Sequence, residues 1–154
     1  MQGYLMDELW QPIDGYQGLY EVSNLGRVRS LDRSVAKRGR AGVMMTLRLQ
    51  GKILQPQPDG GKRLFVTLSK NGKYKPTKVH KLVAAAFIGP RPEGLDINHI
   101  DGDHQNNAVS NLEYCTRSEN MKHAVRLGLV IPPSRAGSKD RPQPSFCALN
   151  PLQH

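Results

Sequence analysis

The chain has 154 residues, which is room for one ordinary domain or two very small modules in tandem. Its 22 Lys and Arg against 13 Asp and Glu give a net charge of +9, which favours a polyanionic partner, most commonly nucleic acid. Two cysteines without a Cys-x-x-Cys pair argue against a disulfide scaffold and a structural zinc, and the longest apolar run, residues 82–88, is too short to span a bilayer. The N-terminus lacks a charged segment followed by an apolar core, so we expect no secretory signal, no membrane association and a cytoplasmic location.

Residues 1–79 are predicted to form a β-rich module. Residues 8–32 alternate aromatic and aliphatic residues with glycines, which is typical of short strands joined by tight turns. The basic residues 33–52 are predicted to form a loop or a hairpin. Residues 63–68 and 73–79 flank an Asn-Gly dipeptide, a strong signal for a β-hairpin.

Residues 80–131 are predicted to form a second, compact unit that begins with a short helix. The alanines within residues 80–88 favour that helix, and Gly89 is placed to end it. The chain beyond residue 131 is rich in proline and poor in large apolar groups, so residues 132–154 are predicted to be a disordered tail.

A strand, a polar loop, a second strand and a helix are predicted in the rest of the second unit. Residues 95–100 and 112–115 are the predicted strands, and the short polar side chains between them favour local bonds to the backbone. Thr116 and Glu119 form a capping box, which predicts that a helix begins there. The strand would carry His99 and its neighbours, and the helix would face them.

This order of elements resembles the HNH nuclease motif, and residues 80–124 are similar to the HNH homing endonucleases of phages and group I introns. Residues 8–32 resemble a modular DNA-binding motif that is often fused ahead of such nucleases. The resemblance implies an α+β protein, in which an N-terminal β-rich DNA-binding module precedes a ββα-metal nuclease unit. The segments that carry the nuclease likeness are Val79-His80-Lys81-Leu82-Val83-Ala84, Asn98-His99-Ile100-Asp101-Gly102, Asn111-Leu112-Glu113-Tyr114 and Ser118-Glu119-Asn120.

The resemblance also implies the roles of individual residues. His99 is expected to be the general base that takes a proton from the attacking water, and Asn111 to brace the loop that orients it. Asn98 and Asn120 are expected to bind one divalent metal ion, Mg²⁺ with Mn²⁺ as a substitute. Many homing relatives carry Asp where Asn98 stands, so we expect weak metal binding without DNA, and Asp96 on the same strand face is an alternative ligand.

Basic side chains are predicted to contact the phosphates of duplex DNA, which position the enzyme without reading sequence. His80 is expected to be structural or to face a phosphate rather than to be catalytic. The predicted DNA contacts are Arg27, Arg29, Arg33, Lys37, Arg38, Arg40, Lys73, Lys75, Lys78, His80, Arg117, Lys122 and His123.

Two other functions stay open at the level of the sequence. The neutral pair Asn98 and Asn120 is also compatible with a DNA-binding protein whose HNH unit is catalytically silent, and an RNA-binding accessory protein is a third, weaker hypothesis. We expect a monomer with no obligate protein partner, located in a bacterial host cell if a phage encodes it. The target site, and whether one strand or both are cut, cannot be read from the chain.

Overall fold

The structure, a computed structural model, describes residues 7–40 and 42–131. The disordered tail predicted for residues 132–154 lies outside the described residues. No helix within the described ranges is long and apolar enough to cross a membrane.

Three small antiparallel sheets make up the N-terminal part. Of the two alternatives predicted for residues 33–52, a loop or a hairpin, the structure has the hairpin, and the strand pair predicted around the Asn-Gly dipeptide is confirmed. Asn71 and Gly72 both have positive φ, 52° and 73°, as the favoured two-residue hairpin turn requires. The sheets are β1 (Trp10–Pro12), β2 (Tyr20–Ser23) and β3 (Val28–Ser30); β4 (Arg33–Arg38) and β5 (Met44–Leu49); and β6 (Gln57–Pro58), β7 (Leu64–Lys70) and β8 (Lys73–Lys78).

The helix that follows β8 differs in detail from the prediction. Val79 was predicted to end the returning strand, but it is the first residue of helix α1 (Val79–Val83). Its side chain is buried and packs into the core from the helix. The chain then continues as a π-helical turn (Ala84–Ile88). Gly89 ends this turn, but with φ 117° and ψ −177° rather than in the left-handed helical conformation, and its carbonyl accepts a hydrogen bond from the Tyr114 hydroxyl at 2.8 Å.

The C-terminal unit has the predicted strand, loop, strand and helix. The capping box is confirmed: Thr116 Oγ1 accepts from the backbone N–H of Glu119 at 3.2 Å, while the Glu119 carboxylate accepts from the Thr116 N–H at 2.9 Å. The predicted α+β class, with a β-rich part ahead of a ββα unit, is thereby confirmed. The elements are β9 (Leu95–His99), a 3₁₀ turn (Val109–Asn111), β10 (Leu112–Thr116) and α2 (Arg117–Arg126).

One hydrophobic core joins the two parts of the chain. Side chains from β2, β3 and β7 pack with those of α1 and with Leu112 of β10, so the core crosses the predicted boundary between residues 79 and 80. The division into residues 1–79 and 80–131 therefore stays a prediction. The buried apolar residues are Ile13, Tyr20, Val22, Val28, Val66, Leu68, Val79, Leu82, Val83 and Leu112.

Candidate active site

The predicted site residues lie on the β9–β10 hairpin and on α2. In the register of the hairpin, Asn98 lies opposite Glu113 and His99 lies opposite Leu112. Directly opposed residues share a face of a sheet and consecutive residues alternate, so Asn98 and His99 leave β9 on opposite faces. The Leu112 face packs into the core, whereas α2 packs against the hairpin near Cys115, whose thiol accepts a hydrogen bond from the backbone of α2.

His99 is held in one orientation by a loop residue, Asn107. The ring is only 2% exposed, and its Nε2 lies 3.2 Å from Oδ1 of Asn107. Because Nδ2 of Asn107 donates to the carbonyl of Gln105 at 3.0 Å, Oδ1 of Asn107 is the acceptor facing His99. Nε2 of His99 therefore carries the proton, and the lone pair of the neutral ring is on Nδ1.

Two further imidazoles flank the His99 ring. The ring centroids of His80 and His104 lie 5.4 Å and 5.2 Å from that of His99, both edge to face. Nδ1 of His104 lies 3.5 Å from Nδ1 of His99, and since the latter holds a lone pair, His104 is the donor in this long contact. Sequence reasoning singled out neither Asn107 nor His104, although both belong to the polar loop after His99.

Burial decides the charge of these rings. Desolvation lowers the pKa of His99, while the hydrogen bond to Asn107 opposes that shift by raising it. His80 is also 2% exposed, and burial, followed by repulsion from His99, lowers its pKa to about 3. Both imidazoles are therefore neutral at pH 7, which is the state that a general base needs.

Asn111 ties together the loop that follows His99. Its Oδ1 accepts from the backbone N–H of Asp101 at 3.0 Å, and its Nδ2 donates to Oδ1 of Asp101 at 2.8 Å and to the carbonyl of Asn106 at 2.9 Å. The carboxamide, 7% exposed, thus bridges both ends of residues 101–106. This placement agrees with the bracing role expected of Asn111.

The N-terminal part of the chain supports the same loop. The carbonyl of Asn24, in the turn between β2 and β3, accepts from the N–H of Val109 at 2.8 Å. In the same turn, a Cβ added to Gly26 would lie 2.9 Å from Cβ of Asn107. The turn is therefore packed directly against the residue that orients His99.

The two predicted metal ligands offer carboxamide oxygens. Asn98 is 6% exposed, and its Nδ2 donates to Oε1 of Glu113 at 2.8 Å. Among the described residues, the only fully buried side-chain nitrogen or oxygen without a hydrogen-bond partner is Nδ1 of His80. Oδ1 of Asn98, which accepts no hydrogen bond from those residues, therefore keeps access to solvent.

The donors fit a hard divalent cation better than a soft one. No group of three or more His, Cys, Asp or Glu side chains within residues 7–40 and 42–131 is arranged to hold a metal ion. Carboxamide oxygens of Asn98 and Asn120, together with phosphate oxygens and water, are the ligand type that Mg²⁺ prefers. Asn120 is half-buried on α2, and Asp96, the alternative ligand, lies on the same strand face as Asn98.

A basic cleft of about 230 Å³ lies beside this unit. It is lined by both Asp96 and Asn120, and by His80, but Asn98 and His99 do not line it. Sequence reasoning missed most of its cations, because they are spread over the β7–β8 hairpin and the residue before it, α1 and the loop before β9. The cationic residues of the cleft are Arg63, Lys78, Lys81 and Arg91.

Three arginines that were predicted to contact DNA have hydrogen-bond partners within the protein. Arg27 forms an ion pair with Glu8, with Nε to Oε1 at 2.8 Å, and Arg29 pairs with Glu21, with Nε to Oε2 at 2.8 Å. Arg33 donates to a backbone carbonyl at 3.3 Å and lies over a tyrosine ring. Each of these side chains therefore has a partner within the N-terminal part, and Arg29 also lies over the half-buried Trp10 ring at 4.2 Å from its centroid.

The other predicted contacts differ in how far they are exposed. Lys78 lines the basic cleft and pairs with Asp59 at 3.1 Å, His123 is half-buried on α2, and His80 is buried. Exposed cations project from the β4–β5 hairpin, from the edge strand β8 and from α2. They are Lys37, Arg38, Arg40, Lys73, Lys75, Arg117 and Lys122.

The elements β9, β10 and α2 form a ββα unit with His99 at the end of its first strand and Asn120 on its helix. Residues 77–122 match the model of the HNH endonuclease family, and residues 8–75 match the NUMOD4 motif. The chain therefore contains an HNH endonuclease domain preceded by a NUMOD4 motif, which confirms the resemblance drawn from the sequence.

The chain is similar in sequence to two endonucleases of phage and prophage origin. The chain is 35% identical over 123 residues to the DNA endonuclease I-HmuI of Bacillus phage SP01, which covers 79% of this chain and 60% of that protein. It is 44% identical over 73 residues to YosQ, a putative HNH homing endonuclease from the SPbeta prophage of Bacillus subtilis, covering 47% of this chain and 42% of that protein.

The fold is also that of a solved homing endonuclease. The structure describing DNA binding and cleavage by the HNH homing endonuclease I-HmuI superimposes with a TM-score of 0.62 at 33% identity, covering 80% of this chain and 61% of that one. The chain thus spans about 60% of the length of I-HmuI. This likeness extends over both the NUMOD4 part and the HNH part.

Proposed function

We propose that the protein is an endonuclease that hydrolyses phosphodiester bonds in double-stranded DNA. His99 is the general base, and Asn98 and Asn120 hold one divalent metal ion, Mg²⁺ or Mn²⁺. The observation that carries the proposal is the hydrogen bond between His99 and Asn107, which places a lone pair on Nδ1 of a buried, neutral imidazole. HNH endonucleases generally use a divalent metal, and the carboxamide oxygens suit that group.

The chain's own residues prepare the attacking water. Nδ1 of His99 accepts the proton of the water, which enters by replacing the 3.5 Å contact with His104. The Nε2–H group of His99 keeps its hydrogen bond to Oδ1 of Asn107 during this proton transfer. The Asn107 oxygen therefore stabilises the positive charge that develops on the ring. The divalent ion, when bound, would stabilise negative charge on the scissile phosphate and on the leaving oxygen.

DNA binding is assigned to both parts of the chain. Exposed cations on the β4–β5 hairpin, on β8 and on α2 would contact backbone phosphates, as the net charge of +9 supports. Arg27, Arg29 and Arg33 contribute mainly by holding the N-terminal fold, since their guanidinium groups already have partners. We further propose that the protein acts as a monomer in the cytoplasm.

A silent DNA-binding protein is the second candidate. The observation in its favour is that both proposed ligands, Asn98 and Asn120, are neutral carboxamides, which contribute no formal charge to a metal ion. Such a protein would bind duplex DNA with an ordinary salt dependence but would not cut it with Mg²⁺ or Mn²⁺.

Cleavage of supercoiled plasmid separates the two candidates. The native protein should give nicked or linear product with Mg²⁺ or Mn²⁺ and none with EDTA. His99→Ala should bind the plasmid equally well in a gel-shift assay but should lose the product, by about 10²-fold or more in rate. Product formed equally by both proteins would remove His99 from the mechanism, and binding without any product would favour the silent candidate.

A further inference from the structure

The carboxylate of Glu113 lies against the carboxamide of Asn98. The two residues are directly opposed across the β9–β10 hairpin, and Nδ2 of Asn98 donates to Oε1 of Glu113 at 2.8 Å. Cys115 shares their face of the hairpin and accepts a hydrogen bond from the backbone N–H of Asn120. The pair therefore lies on the side of the hairpin where α2 and the second proposed ligand are found.

This hydrogen bond determines which end of the Asn98 carboxamide is free. With Nδ2 bound to Glu113, Oδ1 points away from the carboxylate, accepts no hydrogen bond from the described residues and keeps access to solvent. An unrestrained carboxamide could present either end, and an amide nitrogen is not a metal ligand. Glu113 thus selects the orientation of Asn98 that a cation requires.

The charge of Glu113 is also available to the site. Glu113 forms no salt bridge with any residue in the described ranges, so no cation there neutralises its carboxylate. A carboxylate that accepts from Nδ2 polarises the amide and increases the electron density on Oδ1. Groups that bond to a ligand in this way orient it and raise its basicity.

We propose that Glu113 is a positioning residue for the metal ligand Asn98, and that its carboxylate supplies the negative charge that Asn98 lacks. This rests on the proposed role of Asn98 as a ligand. The Asn98–Glu113 pair carries the same total charge as an Asp at position 98 with a neutral partner. Exchanging the charge between the two positions should therefore preserve metal affinity.

Binding of Mn²⁺ alone to the 154-residue chain tests this directly, with free Mn²⁺ measured by its paramagnetic resonance signal. Glu113→Ala, which removes both the acceptor and the charge, should weaken binding about 10-fold. Glu113→Gln, which keeps an acceptor oxygen, should weaken it less. Asn98→Asp combined with Glu113→Gln should return the affinity to within about 3-fold of the native value, since a second-shell loss is of order 10-fold.

The controls distinguish this proposal from the one on which it rests. Glu93→Gln removes the same charge from an exposed position before β9 and should leave Mn²⁺ affinity unchanged. If Asn98→Ala weakens binding but Glu113→Ala and Glu113→Gln do not, the role of Glu113 is overturned and that of Asn98 survives. If Asn98→Ala binds Mn²⁺ as the native protein does, both are overturned. If the double variant does not recover, charge compensation is overturned.

Discussion

Nε2 of His99 lies 3.2 Å from Oδ1 of Asn107, and this hydrogen bond decides which nitrogen of the imidazole is basic. It does so because Asn107 is itself oriented by its bond to the Gln105 carbonyl. The acceptor is a neutral carboxamide rather than a carboxylate, so the tautomer of His99 depends on this one hydrogen bond.

Asn107→Ala should reduce the rate of plasmid cleavage by about 10²-fold, as expected for a general base that is no longer oriented. The hydrogen bond to Asn107 raises the pKa of His99, so its loss should move the acidic limb of the pH–rate profile to lower pH. Asn106→Ala, which removes a carboxamide bonded to Asp101 from the same loop, is the matched control and should leave the limb in place. If the acidic limb of the pH–rate profile did not move in Asn107→Ala, His99 would not be the general base that Asn107 orients.

Gly26→Ala should impair both stability and cleavage. Gly26 has φ +85°, and the added Cβ would lie 2.9 Å from Cβ of Asn107. Gly18→Ala is the matched control, because Gly18 has φ +73° but nothing within 4 Å of an added Cβ. We expect a loss of about 1 kcal/mol in the free energy of unfolding for Gly18→Ala from the left-handed backbone alone, with native cleavage by the folded fraction.

Gly26→Ala should lose more stability than Gly18→Ala, and its folded fraction should cleave more slowly because Asn107 must shift. Chemical denaturation followed by plasmid cleavage at matched folded fractions measures both effects. Equal behaviour of the two variants would show that the turn between β2 and β3 does not support the site.

Folding stability should fall as the pH decreases from about 6.5 to about 3. The pKa of His80 is about 3 in the folded protein against 6.5 for the free side chain, so the unfolded chain binds more protons within that window. At about 1.4 kcal/mol for each pKa unit, the contribution of His80 reaches at most about 5 kcal/mol, and it is fully present above pH 6.5. Denaturation of His80→Leu at several pH values should show a shallower slope; an unchanged slope would contradict a buried, neutral His80.

The basic cleft should contact DNA phosphates more than the paired arginines do. Lys81→Ala and Arg91→Ala should each reduce the slope of log K against log salt concentration by about 0.9, the value for one lost phosphate contact. Arg29→Ala should change the slope less, because its guanidinium already pairs with Glu21 and lies over Trp10. Fluorescence anisotropy on one duplex over a range of salt measures the slopes. If Arg29→Ala reduced the slope more than Lys81→Ala and Arg91→Ala do, the N-terminal arginines rather than the cleft would be the main phosphate contacts.

Much of the local structure could be predicted from the sequence. The Asn71-Gly72 turn, the capping box of Thr116 and Glu119, and the strand before Asp101 depend on contacts between residues a few positions apart. The nuclease motif was recognisable for the same reason, since most of its residues lie in a few short segments. The end of α1 was less predictable, because the π-helical turn and the conformation of Gly89 have no comparable local signal.

What the sequence by itself determined, then, was the order of the elements and the candidate residues His99, Asn98, Asn111 and Asn120. Only the tertiary structure decided that Asn107 orients His99, and that Gly26 packs behind Asn107. It likewise decided that Arg27 and Arg29 form ion pairs within the N-terminal part, while cations from separate elements line one cleft. The physical reason is that these contacts join segments brought together by the shared hydrophobic core, and no local pattern specifies which side chains such packing makes neighbours.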